Sequence, residues 1–145
     1  RVEVGGKALD LWFLSTGVPH AVVPVGDIEN CDIVGLGRAL RRHEAFAPAG
    51  TKVNFIARQG RRVAIRTYER GVEDETLACG TGSTAVGLVL ARAHGLASPV
   101  SMVTRSGGVL TIHFQVHGAG FDDVHLEGDD RLVYTGVLQP DAWMP

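Results

Sequence analysis

The segment at residues 84–95 constrains the fold most, because it has the pattern of a helix with almost no polar face. Its apolar residues, with one just beyond its end, fall on every side of that helix: Ala85, Val86, Leu88, Val89, Leu90, Ala91, Ala93 and Leu96. A helix that is apolar all round has to be covered by protein on all sides. We therefore expect the rest of the chain to wrap around this helix.

The tetrapeptide Cys79-Gly80-Thr81-Gly82 leads directly into the helix. The first turn of a helix carries unbonded N–H groups and the positive end of the helix dipole, which favour a thiolate and a bound carboxylate. Cys79 is therefore a candidate acid, base or nucleophile. The same spacing also suits a small core residue ahead of a buried helix, so the pattern alone leaves both interpretations open.

Size and charge exclude several classes of protein. A chain of 145 residues that is 45% hydrophobic and 21% charged suits one compact domain with its own core. Its net charge of −2 and scattered basic residues leave no electrostatic footprint for nucleic acid. No apolar run is long enough to cross a membrane, and no leader peptide is recognisable. Because the chain starts at Arg1 and has Met only at positions 102 and 144, we expect a processed chain or a fragment.

The two cysteines, Cys31 and Cys79, are expected to be free thiols in a reducing cytosol, since one bridge is a weak framework for a chain of this size. No glycine turn or candidate base accompanies Cys31, so we expect it to be structural. The six histidines do not cluster with cysteines or carboxylates at ligand spacing, which argues against a metal site. We thus expect a cytoplasmic protein without a metal ion.

Most of the remaining chain alternates in the manner of strands. The predicted strands cover residues 8–14, 20–25, 51–58, 62–69, 100–104, 109–116, 123–127 and 132–138. Residues 59–61 would close a hairpin, and residues 32–43 have the pattern of an amphipathic surface helix. Seven or eight strands and one buried helix predict an α+β fold, in which a curved, mostly antiparallel sheet wraps around one central helix.

Two polar residues stand out on the predicted strands. His20 starts a strand after a turn, where it could order a catalytic thiol and share its proton, or simply be a polar residue at a strand end. Asn54 lies in an apolar strand, on the side opposite Val53 and Phe55. A buried amide without partners costs about 1 to 3 kcal/mol, so either the protein or a ligand has to supply them.

The chain contains four short motifs: Gly17-Val18-Pro19-His20, Thr51-Lys52-Val53-Asn54-Phe55, Tyr68-Glu69-Arg70-Gly71 and Glu75-Thr76-Leu77-Ala78-Cys79-Gly80-Thr81-Gly82. In their order and their intervals, these motifs resemble the second half of diaminopimelate epimerase. The resemblance covers essentially the whole chain. It implies an isomerase of lysine biosynthesis that works without pyridoxal phosphate or any other cofactor and has its active site between two similar halves. Residues 1–145 would be a single domain, equivalent to the C-terminal domain of that two-domain enzyme.

The resemblance also implies the chemistry. Family members use two cysteines on opposite faces of the substrate α-carbon, where one removes a proton as the thiolate and the other returns a proton as the thiol. Cys79 matches the second cysteine. His20 and Glu69 would join it as catalytic residues, with His20 beside the cysteine pair.

Substrate binding follows from the same matching. Glu69 and Arg70 would hold the distal end of diaminopimelate, and Asn54 would contact the substrate through its amide. Gly80 and Thr81 would donate backbone N–H groups to the α-carboxylate. Two helix N-termini meeting at that carboxylate suit the charge of an α-carbanion.

The chain departs from the family pattern at three points. Val18 stands where many members carry Asn, and Lys52 stands where Asn is frequent. The gravest departure is that no Cys-Gly-Asn-Gly motif with a second thiol is present. The chain alone would therefore hold half an active site, and we expect it to be inactive without the N-terminal half. Its expected partners are that half and the amino-acid substrate, and a homodimer with a second copy is left open.

Two other functions remain open at this stage. A proline racemase type of enzyme also pairs cysteines and has a Cys-Gly-Thr-Gly turn, although proline has no distal group for the Tyr68-Glu69-Arg70-Gly71 element to hold. Alternatively, the domain is a noncatalytic module that only associates with itself or binds a ligand.

Overall fold

One curved sheet of eight strands forms most of the computed structural model, which describes residues 1–59 and 62–143. The strands, in chain order, are β1 (Val2–Val4), β2 (Lys7–Leu9), β3 (Trp12–Ser15), β4 (Pro19–Pro24), β5 (Lys52–Gln59), β6 (Arg62–Glu69), β7 (Asp74–Thr76), β8 (Val100–Val103), β9 (Val109–His117) and β10 (Gly120–Gly128). Two α-helices, α1 (Ile33–Arg41) and α2 (Gly80–His94), and two 3-10 helices at Glu44–Phe46 and Pro140–Trp143 complete the described structure.

The strands of the main sheet follow the order β10-β9-β8-β6-β5-β4-β3, with β7 paired to β6, while β1 and β2 form a separate ribbon. The β4–β5 and β6–β8 pairs are parallel and the other pairs are antiparallel. The sheet curls around α2, which contacts strands from one edge, β3, to the other, β10. The predicted α+β fold, a mostly antiparallel sheet around a buried helix, is confirmed.

Each face of the sheet has its own apolar core. On the inner face, which surrounds α2, Val86 and Leu90 of the helix pack in one cluster with Ile56 and Ile65 of the strands. The outer face carries α1 and the β1–β2 ribbon, and its cluster has these core members: Ile33, Leu40, Val53, Phe55 and Tyr68. The central strands are therefore buried on both faces, and their residues alternate between the two cores.

Helix α2 begins one turn earlier than predicted, at Gly80, because the Cys79 carbonyl already accepts the N–H of Ser83 at 2.9 Å. It ends at Gly95, whose φ of +66° allows its N–H to bond the Ala91 carbonyl at 3.0 Å. A left-handed residue at this position closes a helix with little strain only when it is glycine.

The burial of α2 is less complete than the pattern predicted. Leu88 is half-buried and Ala93 is exposed, and both line a cavity of about 380 Å³. The cavity lies where the two edges of the curled sheet approach each other, with Trp12 on β3 and Phe121 on β10. One stripe of the helix is thus open, because the sheet does not close into a complete barrel.

Two predicted strands differ in the structure. Residues 8–14 are not one strand, since β2 pairs with β1 while β3 pairs with β4. Residues 132–138 form no strand, and Leu132, Val133, Tyr134 and Val137 are each more than four-fifths exposed. Alternation alone does not make a strand, because its backbone groups need a neighbouring strand, and in the described part of the chain this segment pairs with none.

The predicted hairpin between residues 51–58 and 62–69 is confirmed by antiparallel pairing of β5 with β6. Of its predicted turn, residues 60 and 61 lie outside the described residues. Helix α1 confirms the amphipathic pattern at residues 32–43, with Asp32 capping its first turn through the N–H of Gly35. Gly37 of this helix lies where a Cβ would come within 2.5 Å of the Tyr68 ring, which explains a glycine inside the helix. Among the described helices, none combines the length and the apolar character needed to cross a membrane.

Candidate active site

A layer of polar side chains lies at the end of the inner core, beside the N-terminus of α2. It consists of one residue from β4, two from β5 and two from β6: His20, Lys52, Asn54, Thr67 and Glu69. The register explains their grouping, because His20 lies opposite Lys52 and Asn54 lies opposite Thr67. Alternate residues of a strand share a face, so these five point to the same side as the core residues Ile56 and Ile65.

Cys79 is the residue that precedes α2, and its half-buried thiol faces this layer. Its backbone is extended, with φ −141° and ψ 108°, and it turns into the helix at the following residue. The sulfur lies 3.5 Å from Thr81 Oγ1 and 3.9 Å from Lys52 Nζ. The thiol therefore lies at the positive end of the helix dipole, as predicted, and also beside a side-chain cation that the sequence analysis did not predict.

The first turn of α2 is fixed from two directions. Thr16, in the turn before β4, donates its hydroxyl to the Thr81 carbonyl at 3.1 Å. On the other side, a Cβ at Gly82 would collide with Asn54 Oδ1 and lie 3.3 Å from the Cys79 sulfur. A glycine at this position thus allows the helix to approach the polar layer closely. Gly80 and Thr81 belong to the same turn, whose N–H groups lack carbonyl partners within the helix.

Asn54 is completely buried and its side chain is bonded by the protein. Its Nδ2 lies 3.0 Å from Nδ1 of His20 and 3.4 Å from the Ala21 carbonyl, while Thr67 donates its hydroxyl to Oδ1 at 3.0 Å. Of the two sources that the sequence left open, the protein supplies these partners. A contact between this amide and a substrate stays a prediction, for which Oδ1 retains one lone pair.

His20 is also completely buried, and its tautomer follows from its neighbours. The Ala21 carbonyl only accepts hydrogen bonds, so the Asn54 atom that faces both Ala21 and His20 is the amide nitrogen. Nδ1 of His20 therefore accepts, and the ring hydrogen is on Nε2. Among the described residues, Nε2 has no hydrogen-bond partner. Burial, reinforced by the charge of Lys52, lowers the pKa of His20 to about 4, so the ring is neutral at pH 7.

Glu69 ends β6 and forms an ion pair with Lys52, in which Oε1 lies 2.5 Å from Nζ. The next residue, Arg70, donates from Nη1 to the Ala49 carbonyl at 3.1 Å. The chain then turns at Gly71, whose φ is +99°. The structure thus connects Glu69 to Cys79 through one ammonium group, while the expected role of Glu69 and Arg70 at the distal end of a substrate stays a prediction.

Sequence reasoning noted Lys52 only as a departure from the family and missed Thr67 and Thr16. Lys52 precedes Asn54 by two residues, so the alternation of β5 was a signal that both share a face. Thr67 precedes Glu69 by two residues in β6, although only the register places it opposite Asn54. The contact of Thr16 joins two distant segments and has no local signal.

The second cysteine and the surface histidines lie elsewhere. Cys31 packs against the outer core, and burial raises the pKa of its thiol, which agrees with a structural residue. Both cysteines are free. His113 and His117 are on the partly exposed β9–β10 hairpin, where each pairs with a carboxylate. In residues 1–59 and 62–143, no group of three or more His, Cys, Asp or Glu side chains is arranged to hold a metal ion.

Comparison with known sequences connects this geometry to one family. The profile of diaminopimelate epimerase matches residues 12–127. The diaminopimelate epimerase of Aquifex aeolicus is 48% identical over 97% of this chain and 50% of its own length. That of Archaeoglobus fulgidus is 41% identical over 96% of this chain and 47% of its own length. The chain thus spans about half the length of the curated relatives it matches.

Solved structures are similar in fold. A predicted epimerase from Pseudomonas aeruginosa superimposes with a TM-score of 0.55 at 15% identity, over 79% of this chain and 41% of the other. A phenazine biosynthesis protein of the PhzF family from Enterococcus faecalis gives a TM-score of 0.52 at 18% identity, over 66% of this chain and 34% of the other. At these identities the likeness concerns the fold alone.

Proposed function

The chain belongs to the diaminopimelate epimerase family, and on that premise we propose that it is the C-terminal domain of an enzyme that interconverts LL- and meso-diaminopimelate. In this proposal residues 1–145 form one domain and supply half of the active site. The other half, with a second cysteine, comes from the part of the relatives' length that this chain does not match.

The observation that carries the proposal is the buried Nε2–H of His20, which has no hydrogen-bond partner among the described residues. A buried donor without an acceptor costs about 1 to 3 kcal/mol, so this group calls for an acceptor that those residues do not supply. In the complete enzyme we assign that acceptor to the second cysteine. Because the ring is neutral and its tautomer is held by Asn54, Nε2–H stabilises the cysteine as a thiolate without giving up its proton.

The proposed reaction transfers one proton on each face of the α-carbon. The thiolate of the second cysteine takes the α-proton and becomes a thiol, which leaves an electron pair on the α-carbon. Cys79 gives its S–H proton to that pair from the opposite face and becomes the thiolate. The reverse reaction uses the same two groups in exchanged states.

The carbanion between these steps needs electrostatic support. The N–H groups of Gly80 and Thr81, at the positive end of α2, suit the α-carboxylate onto which the charge spreads. Glu69 and Arg70 suit the ammonium and carboxylate of the distal end, and the Asn54 side chain lies against Gly82 in the first turn of α2. No step in this scheme calls for a cofactor.

Two features support a partner for this chain. The apolar segment at residues 132–138 is exposed, and the polar layer lies at an N-terminal helix turn where Cys79, Gly80 and Thr81 remain partly accessible. We propose that the missing half covers the polar layer and the N-terminal turn of α2. Alone, the chain is expected to be inactive, since one thiol reaches one face of the α-carbon and water screens the N–H donors on the other.

The test is to join this chain to the part of the Aquifex aeolicus relative that it does not match, which gives an assembled enzyme. Solvent deuterium incorporation at the α-carbon is then measured on diaminopimelate and on proline, for the assembled enzyme and for the chain alone. Exchange and inversion on diaminopimelate by the assembled enzyme only is the expected result. Inversion of proline would indicate a racemase. Exchange on neither substrate would indicate a noncatalytic module. Inversion of diaminopimelate by the chain alone would indicate a second proton donor within this chain.

A further inference from the structure

Lys52 lies between a carboxylate and the candidate catalytic thiol. Its Nζ is 2.5 Å from Glu69 Oε1 and donates to the Cys79 sulfur at 3.9 Å. The side chains of Lys52 and Glu69 are 16% and 15% exposed, so water screens the pair much less than it screens a surface ion pair. A buried cation costs free energy unless it is paired, and here it is paired on one side and shared with sulfur on the other.

The elements near the sulfur contribute the following further groups. Glu69 ends β6 and Arg70 follows it, while the N-terminus of α2 contributes its dipole. His20 on β4 is neutral at pH 7, and Leu126 on β10 approaches Gly80 without charge. Lys52 is the cation that bonds the sulfur, and Glu69 is the anion that partly offsets it.

We propose that Lys52 is a positioning residue for the proton transfer: its ammonium group holds the Glu69 carboxylate beside the site and favours the thiolate form of Cys79. The catalytic part of this role rests on the proposed function. When Cys79 gives its S–H proton to the α-carbon, the S–H electron pair stays on sulfur, 3.9 Å from the cation. Both directions of the reaction need a cysteine that can lose its proton and take it back, and the Lys52 ammonium group is within reach of the sulfur for both steps.

The pair also explains how a lysine is tolerated in this position. Without Glu69, the ammonium group would favour the thiolate of Cys79 more strongly, and a thiolate has no proton to donate. Glu69 offsets part of this effect, because its carboxylate lies 2.5 Å from the ammonium group. The two residues should therefore act on the thiol in opposite directions, which a residue with a merely structural role would not do.

The experiment measures thiol reactivity in the 145-residue chain, with no substrate and no second half. Alkylation of Cys79 by iodoacetamide is followed between pH 5 and pH 9 in a Cys31→Ala background, so that one thiol reports. Lys52→Met is expected to slow alkylation at pH 7 by on the order of tenfold and to move the profile to higher pH. Glu69→Gln is expected to speed alkylation and to move the profile to lower pH. Lys52→Arg should retain the wild-type profile, because it keeps the charge.

Folding is checked for each variant by circular dichroism and urea unfolding, and the double variant Lys52→Met with Glu69→Gln provides a site without either charge. Its profile is expected to lie between those of the single variants. The inference is overturned if Lys52→Met leaves the profile unchanged, if both single variants move it in the same direction, or if Lys52→Arg behaves as Lys52→Met. Because the assay needs no turnover, a failed epimerase assay and a failed role for Lys52 are separate results.

Discussion

The Asn54 side-chain amide donates to Nδ1 of His20 across 3.0 Å, from one strand to its parallel neighbour. This bond sets the tautomer of the ring and leaves the ring hydrogen on Nε2. The neighbouring bond from Thr67 to Oδ1 fixes the orientation of the amide in turn. Three buried side chains thus determine which hydrogen bond the site offers to an incoming group.

The thiol of Cys79 is the first group to test in the assembled enzyme. We expect Cys79→Ser to abolish inversion of diaminopimelate while leaving the fold intact, because a hydroxyl is a far poorer acid and base than a thiol near neutral pH. Inversion is measured by chiral chromatography, with the urea unfolding curve as the control for folding. Retention of more than about one hundredth of the wild-type rate would contradict the assignment.

The substitution Gly82→Ala should affect stability in opposite directions through helix propensity and through tertiary packing. Helix propensity alone predicts that Gly82→Ala stabilises α2 by about 1 kcal/mol. We expect a destabilisation of about 1 to 3 kcal/mol instead, since the new Cβ would collide with Asn54 Oδ1 and crowd the Cys79 sulfur. Urea unfolding measures the difference. The matched control is Gly26→Ala, where a Cβ would have nothing within 4 Å and stability should change by less than about 0.5 kcal/mol.

The lowered pKa of His20 predicts a pH dependence of stability. The unfolded chain protonates this ring below pH 6.5, whereas the folded chain does so only near its pKa of about 4. The stabilisation of the folded chain by the neutral ring is therefore complete above pH 6.5. It is lost as the pH falls toward 4, and the free energy of unfolding decreases by a total on the order of 3 kcal/mol. Urea unfolding of the wild type and of His20→Gln at several pH values should show curves that differ in slope between pH 4 and 6.5. Parallel curves would be inconsistent with a buried, neutral ring.

Arg70 tests the recognition of the substrate's distal end. In the assembled enzyme, Arg70→Lys should lower kcat/KM on diaminopimelate by on the order of tenfold or more, because a point charge replaces a planar group with two parallel donors. The control is Arg105→Lys, which makes the same replacement at an exposed arginine. The carboxylate partner of Arg105 lies 3.8 Å away. An equal loss in both variants, or a loss on proline as large as that on diaminopimelate, would argue against a distal contact.

Much of the inner core could be predicted from the sequence, because the apolar pattern of residues 84–95 indicates a helix that is buried over most of its surface. Its N-terminal cysteine and glycines were also visible, since helix starts have a local chemistry. The pairing of Lys52 with Glu69 was not, because it depends on which strands are neighbours and in what register. The open stripe along Leu88 and Ala93 depends on how far the sheet curls, which no local pattern encodes.

At residues 132–138, a clear local pattern led to a wrong prediction. Its alternation is that of a strand, and its apolar side chains are the ones that strands bury. A strand forms only against a neighbour, and the described residues offer it none. The break at Asp10 and Leu11 has a related cause, since β2 and β3 find partners in different sheets.

Helix α2 fills the inner core and Cys79 directly precedes it. The position of the helix along its own axis therefore determines where the sulfur lies relative to the polar layer. About two turns from the sulfur, Gly87 lies where a Cβ would come within 3.0 Å of Ile112. A larger residue there would lift or slide the helix as a rigid rod, and the sulfur would move with it. The position of the sulfur therefore depends on packing about two turns away in the inner core, and a larger side chain at Gly87 is expected to displace the thiol relative to Lys52.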